Sequence, residues 1–162
     1  MRSQLRWIFL IGCVGGCVEW SSSAWAGQDE EAVHRTITQA VSGAATFSES
    51  RDKQAILTLY ADDYRGVQDG QAETKAAIEQ WLTDYESELK QGNRLRFIGA
   101  VSNLKTGLQG STAWAIYDYV FQALRDGELE GQDVGSCTSL LRKEGAAWLI
   151  FHEHCSKTKS SK

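Results

Sequence analysis

The chain has 162 residues, 17 basic and 21 acidic side chains, a net charge of −4, four cysteines and no proline. That length fits one domain with a real core, and the mild acidity argues against nucleic acid or an anionic membrane surface as partner. The N-terminal 26 residues read as an export signal. Arg2 and Arg6 precede a short apolar run from Trp7 to Val18, and Ala24-Trp25-Ala26 is a small-x-small cleavage site before Gly27. The run is well short of the ~20 residues that span a bilayer, and Glu19 ends it. Val14-Gly15-Gly16-Cys17 also loosely fits a lipidation site, which would anchor the protein through Cys17. Removing residues 1–26 of the 162 leaves 136, with 15 basic and 20 acidic side chains and a net charge of −5.

Three helical stretches follow. In residues 30–47, Val33, Ile37, Val41 and Ala44 recur at helical spacing and form one apolar face. Ser50 is a candidate cap for a second helix with Asp52 in its first turn, apolar at Ile56, Leu59 and Tyr60 and ending near Asp62-Asp63. Tyr64 to Gly70 contains an Asp-Gly turn signal and reads as a short strand or hairpin. Thr74 is a plausible cap for the third helix, whose apolar positions are Ile78, Trp81, Leu82, Tyr85 and Leu89.

After Gly92 the period becomes that of strands. Leu95–Leu104, Thr112–Leu124, Val134–Arg142 and Ala147–Ser156 make a four-stranded antiparallel meander, with Asp126-Gly127 as a two-residue hairpin turn that sets Arg125 opposite Glu128. Helices followed by strands predict an α+β domain over residues 27–157, three N-terminal helices packed in a curved antiparallel sheet, with a polar tail at 158–162.

The closing strand reads Trp148-Leu-Ile-Phe-His-Glu-His-Cys-Ser156, with Gly145 just before it. Strict alternation puts Trp148, Ile150, His152 and His154 on one side and Glu153 on the other. The pattern Gly145, Trp148, Ile150, His152, His154, Ser156 resembles the last strand of the SnoaL-like branch of the nuclear transport factor 2-like superfamily. Arg51-Asp52, Ile56-Leu57 and Tyr60-Ala61-Asp62-Asp63-Tyr64 resemble a second recurring segment of that family. The resemblance spans roughly residues 30–157. It implies a cone-shaped sheet wrapped around the helices, an interior pocket, and ligand-lining and dimer-forming residues on opposite sheet faces.

Several residues are candidates for chemistry. By parity His152 faces the pocket as a general base or ligand contact, with His154 nearer the strand end, since imidazole transfers protons near neutral pH. The plain structural alternative is that both simply finish the strand. A His-x-His pair also begins many metal sites, but only Asp118 or His34 suggest themselves as a third ligand and no further pattern supports one. No cofactor motif is present. In the strand through Tyr117, the residues Trp114, Ile116, Asp118, Val120 and Gln122 share one face; Ala115, Tyr117, Tyr119 and Phe121 share the other. Asp118 is either a pocket acid or a solvated carboxylate, and the pocket-facing side stays open. Tyr60, Trp81, Trp114, Tyr117 and Tyr119 are the candidate ligand contacts. Asp62-Asp63 reads as a turn-forming pair.

Outside the leader the cysteines are Cys137 and Cys155, on consecutive strands, a pair that tends to oxidise outside the cytoplasm. A turn centred on Glu144-Gly145 sets Cys137 opposite His152, so their pairing needs a register correction. The expectation is an exported, periplasmic or secreted homodimer that binds a small, largely apolar ligand with or without acid–base chemistry. The alternative is a non-catalytic dimerising or adaptor module of the cell envelope, whose pocket is plugged by Trp81, Trp114 or Tyr85.

Overall fold

The computed structural model describes residues 22–158, with side chains from residue 27 onward. Most of the expected export signal, including Cys17, and the end of the polar tail lie outside the described residues.

Helix α1 (Ser22–Ser50) presents Val33, Ile37, Ala44 and Phe47 to the core. Helix α2 is one short piece, Lys53–Leu57, and its cap is Asp52 rather than Ser50: the Asp52 carboxylate accepts from the Ala55 N–H at 3.1 Å. The chain turns extended earlier than expected. Tyr60 and Asp62-Asp63 belong to strand β1 (Tyr60–Gln68), not to the helix end. Asp69-Gly70 then reverses the chain into β2 (Gln71–Thr74), both turn residues having positive φ. Thr74 caps α3 (Lys75–Lys90), its hydroxyl accepting from the Ala77 N–H. The helical layer is therefore two long helices and one turn.

The meander follows: β3 (Leu95–Gln109), β4 (Thr112–Arg125), β5 (Glu128–Glu144) and β6 (Ala147–Lys157). The sheet order is β2-β1-β6-β5-β4-β3. All neighbours are antiparallel except β1 and β6, which run parallel, so the sheet is mixed rather than purely antiparallel. The predicted Arg125–Glu128 pair is present across the Asp126-Gly127 turn.

Helix α1 lies against β3, β4 and β6, and α3 against β1 and β2. The sheet thus wraps the helices, and its inner face forms the core with Tyr64, Ala115, Tyr117, Leu141, Trp148 and Ile150. Gly99 on β3 sits against the Val41 carbonyl of α1, where any side chain would collide with backbone. Trp148 is 2% exposed, as its strand position predicts. Its indole N–H donates to Asp29 at 3.0 Å, and its carbonyl accepts from the Thr36 hydroxyl at 3.1 Å. These bonds fasten α1 to β6.

Candidate functional site

One residue decides which side chains reach the interior. From the turn to Ile150, β6 pairs regularly with β5, ending at Leu141↔Ile150; the next pair is Leu140↔His152. Phe151 is the extra residue of a β-bulge, and a bulge resets the alternation beyond it. On the other edge the parallel register with β1 jumps from Tyr60↔Ile150 to Arg65↔His152, so both ladders break beside Phe151. Arg142 holds the break from outside: its guanidinium makes two bonds to Asp63 at 2.7 and 2.9 Å, one to Glu144 at 2.6 Å, and sits 5.6 Å from the Phe151 ring centre.

Glu153 and Cys155 therefore point inward with Trp148 and Ile150, while His152 and His154 point outward. This corrects the parity reading. Neither histidine lines the pocket; His154 is exposed, with Nε2 3.4 Å from the Ser156 hydroxyl. The metal reading fails on the same geometry. Among the described residues His152, His154, Asp118 and His34 do not converge, and His34 lies against Thr106 of β3. Among the described residues the convergent trio is Cys137, Glu153 and Cys155, whose two sulfurs are joined in a disulfide.

That disulfide links directly opposed residues, Cα–Cα 4.2 Å. Two shifts align them. The turn is centred on Gly145-Ala146, one residue later than expected, and the Phe151 bulge supplies the rest.

The pocket has a volume of about 300 Å³, at the small end for a ligand site. Helix α1 supplies Ala40, Val41 and Ala44; Ile56, Ile78 and Trp81 come from the other helices. The sheet supplies Tyr60, Tyr117, Tyr119, Phe121 and the disulfide, with Gln68, Glu73, Asp133 and Glu153 as the polar wall. Tyr60, Trp81, Tyr117 and Tyr119 are thus brought together. Trp114 is not: it lies on the outer face, 43% exposed, its indole over Gly107. Asp118 shares that outer face, where its carboxylate accepts from Asn103 at 2.7 Å and from Ser136 at 2.6 Å. Those two bonds lower its pKa, as expected of a surface carboxylate. Tyr85 packs in the core and donates to the Leu95 carbonyl, so it does not plug the pocket.

Glu153 is the centre of the polar wall. Tyr117 and Ser139 both donate to its Oε1 at 2.6 Å, and among the described residues Oε2 has no partner. Ser139 is fully buried, so this network is interior. Glu73 accepts from the Tyr64 hydroxyl at 3.1 Å. Burial raises the Glu73 carboxyl, the Tyr64 bond opposes that, and the nearby Glu153 charge adds to the rise. Tyr60 and Tyr117 are both pushed up by burial first and by Glu153 second, so they stay protonated donors. Tyr119 has a buried hydroxyl with no hydrogen-bond partner among the described residues. Its ring lies over Gly135, directly opposite on β5, where a Cβ would come within 2.8 Å of it.

Sequence reasoning missed Glu153 and Glu73. Glu73 sits in a four-residue strand with no apolar alternation to mark an inner face. Strict alternation puts Glu153 on the wrong face because the bulge leaves no mark in a run of strand formers. The signal available was Cys155: pairing it with Cys137 requires a register shift, and that shift turns Glu153 inward.

A SnoaL-like domain model matches residues 37–159. The chain belongs to the SnoaL-like family, within the nuclear transport factor 2-like superfamily. No curated protein matches it in sequence. Among solved structures it is similar to a nuclear transport factor 2-like protein with a cystatin-like fold from Novosphingobium aromaticivorans, at 17% identity over 90% of this chain and 94% of that one, TM-score 0.65. A nuclear transport factor 2-like protein of unknown function from Prochlorococcus marinus aligns at 14% identity over 82% and 94%, TM-score 0.61. A type 2 hexachlorocyclohexane dehydrochlorinase aligns at 11% identity over 85% and 90%, TM-score 0.62. At such identities the likeness concerns the fold.

Proposed function

We propose that this domain binds a small, largely apolar ligand in the interior pocket and that Glu153 is its acid–base group. The observation that carries the reading is the Tyr117–Glu153–Ser139 network. Two neutral donors hold one carboxylate oxygen while the other is left for a ligand, in a cavity otherwise walled by aromatic and aliphatic side chains. A carboxylate fixed in this way can take a proton from a bound molecule, and Tyr60, which also lines the pocket, can hydrogen-bond a developing oxygen charge. A solved hexachlorocyclohexane dehydrochlorinase shares this fold.

A panel of small aromatic and alicyclic compounds tests this. Hits should compete for one site and shift the NMR signals of Tyr60, Trp81 and Tyr117 while leaving Trp114 unmoved. Hits that move Trp114 alone would place binding on the outer face and overturn the reading.

The outer face favours a companion proposal, a homodimer. Ile98, Trp114, Ile116 and Val134 are each more than a third exposed there, and apolar exposure on one sheet face is what an interface requires. Export is proposed on the Cys137–Cys155 disulfide, which suits an oxidising compartment. No helix among the described residues is long and apolar enough to cross a membrane.

A further inference from the structure

Among the described residues three carboxylates line the pocket, those of Glu73, Asp133 and Glu153, and no lysine, arginine or histidine does. Asp133 is paired with Lys157 at 3.0 Å. Glu73 and Glu153 have no cationic partner among the described residues; their hydrogen bonds come from the hydroxyls of Tyr64, Tyr117 and Ser139. Neutral donors satisfy lone pairs but do not cancel charge. Two carboxylates sharing one partly desolvated cavity are therefore short of positive charge.

Two further features point the same way. Tyr60, Trp81, Tyr117, Tyr119 and Phe121 all line the cavity, and aromatic rings attract cations. The Tyr119 side chain is 6% exposed and lines the cavity with a hydroxyl that has no hydrogen-bond partner among the described residues. Its oxygen can accept one N–H bond. Burial and then the Asp69 and Asp133 charges hold that phenol in its protonated form.

We infer that the ligand of this pocket is a small organic ammonium ion with an apolar body, its charge set against Glu73 and Glu153 and its body against the aromatic wall. This rests on the pocket being the binding site, as proposed above, and names the chemical class that the site selects. An anion of the same size meets two like charges. A neutral alcohol gains a hydrogen bond but leaves the carboxylates uncompensated.

Three probes of matched size separate these cases: phenethylammonium, 2-phenylethanol and phenylacetate, each titrated calorimetrically into the full chain with its disulfide intact. Phenethylammonium should bind at least about tenfold more tightly than 2-phenylethanol, and phenylacetate should give no binding heat. Glu73→Gln and Glu153→Gln should each weaken the cation severalfold and leave the alcohol within about twofold, which separates lost charge from a damaged fold. Alcohol or phenylacetate binding as tightly as the cation would overturn the ammonium assignment and leave the pocket reading intact. Failure of all three probes while neutral compounds of the panel occupy the pocket would overturn it in the same way. Failure of the whole panel would sink both.

Discussion

Glu153 and His152 are neighbours in sequence with opposite roles in this account. The carboxylate is interior and held by Tyr117 and Ser139; the imidazole is outside the pocket. His152→Ala should therefore leave ligand affinity and melting temperature nearly unchanged, whereas Glu153→Gln should remove proton transfer while retaining the fold. Ser139→Ala should cost about 1–2 kcal/mol in urea melts, because it deletes a buried donor to a carboxylate. Glu73 sets a pH dependence. Its pKa is higher in the folded chain than in the unfolded one, so the folded state holds the proton more firmly. Stability is then greatest below the unfolded carboxyl range and falls as pH rises through the folded pKa. Glu73→Gln should flatten that fall and raise the melting temperature at pH 7 relative to the parent. A variant that melts lower at pH 7 than its parent would show that burial of the charge is not what governs Glu73.

The decisive element is β6. Its apolar start was legible: Trp148 and Ile150 lie at strand spacing after a turn, and both are buried. Trp148→Ala should cost about 3–5 kcal/mol as a cavity, with the loss of the Asp29 bond included. The far half was misread because period-2 reasoning assumes an unbroken ladder, and one inserted residue inverts every face beyond it. Deleting Phe151 should heal the bulge without changing any pair beyond it: His152 would follow Ile150 directly, and Cys155 would stay opposite Cys137. Alkylation with mass measurement should find no free thiol in the deletion variant. Two free thiols would mean that Phe151 is not the extra residue of the ladder. The helical caps divide in an instructive way. Thr74 was legible because the apolar period begins right after it, while Ser50 and Asp52 compete within three residues and only the bond to Ala55 settles the choice. Similarly, local spacing carries the second helix through Tyr60 to Asp62-Asp63. There the parallel pairing with β6, a contact about ninety residues distant, overrides local helical spacing.

At the scale of the whole molecule, the α+β class and the four-strand meander were legible from local period and turn chemistry. The mixed character of the sheet was not, because a parallel contact between β1 and β6 leaves no turn signal. The pocket is likewise a product of packing, drawn from every helix and from five of the six strands. Its disulfide closes a separation of 18 residues, and reduction should cost about 3 kcal/mol by releasing the unfolded chain while loosening one wall of the cavity. Export predicts a mature N-terminus at Gly27 on sequencing; Asp29, whose bonds to Lys143 and Trp148 tie α1 to the sheet, would be kept. The most direct measurement of the central claim is native mass spectrometry of the protein purified from its own host, compared among the parent chain, His152→Ala and Glu153→Gln. A small-molecule adduct should be carried by the parent and by His152→Ala and be diminished or lost in Glu153→Gln. An adduct kept by Glu153→Gln but lost from His152→Ala would contradict the account.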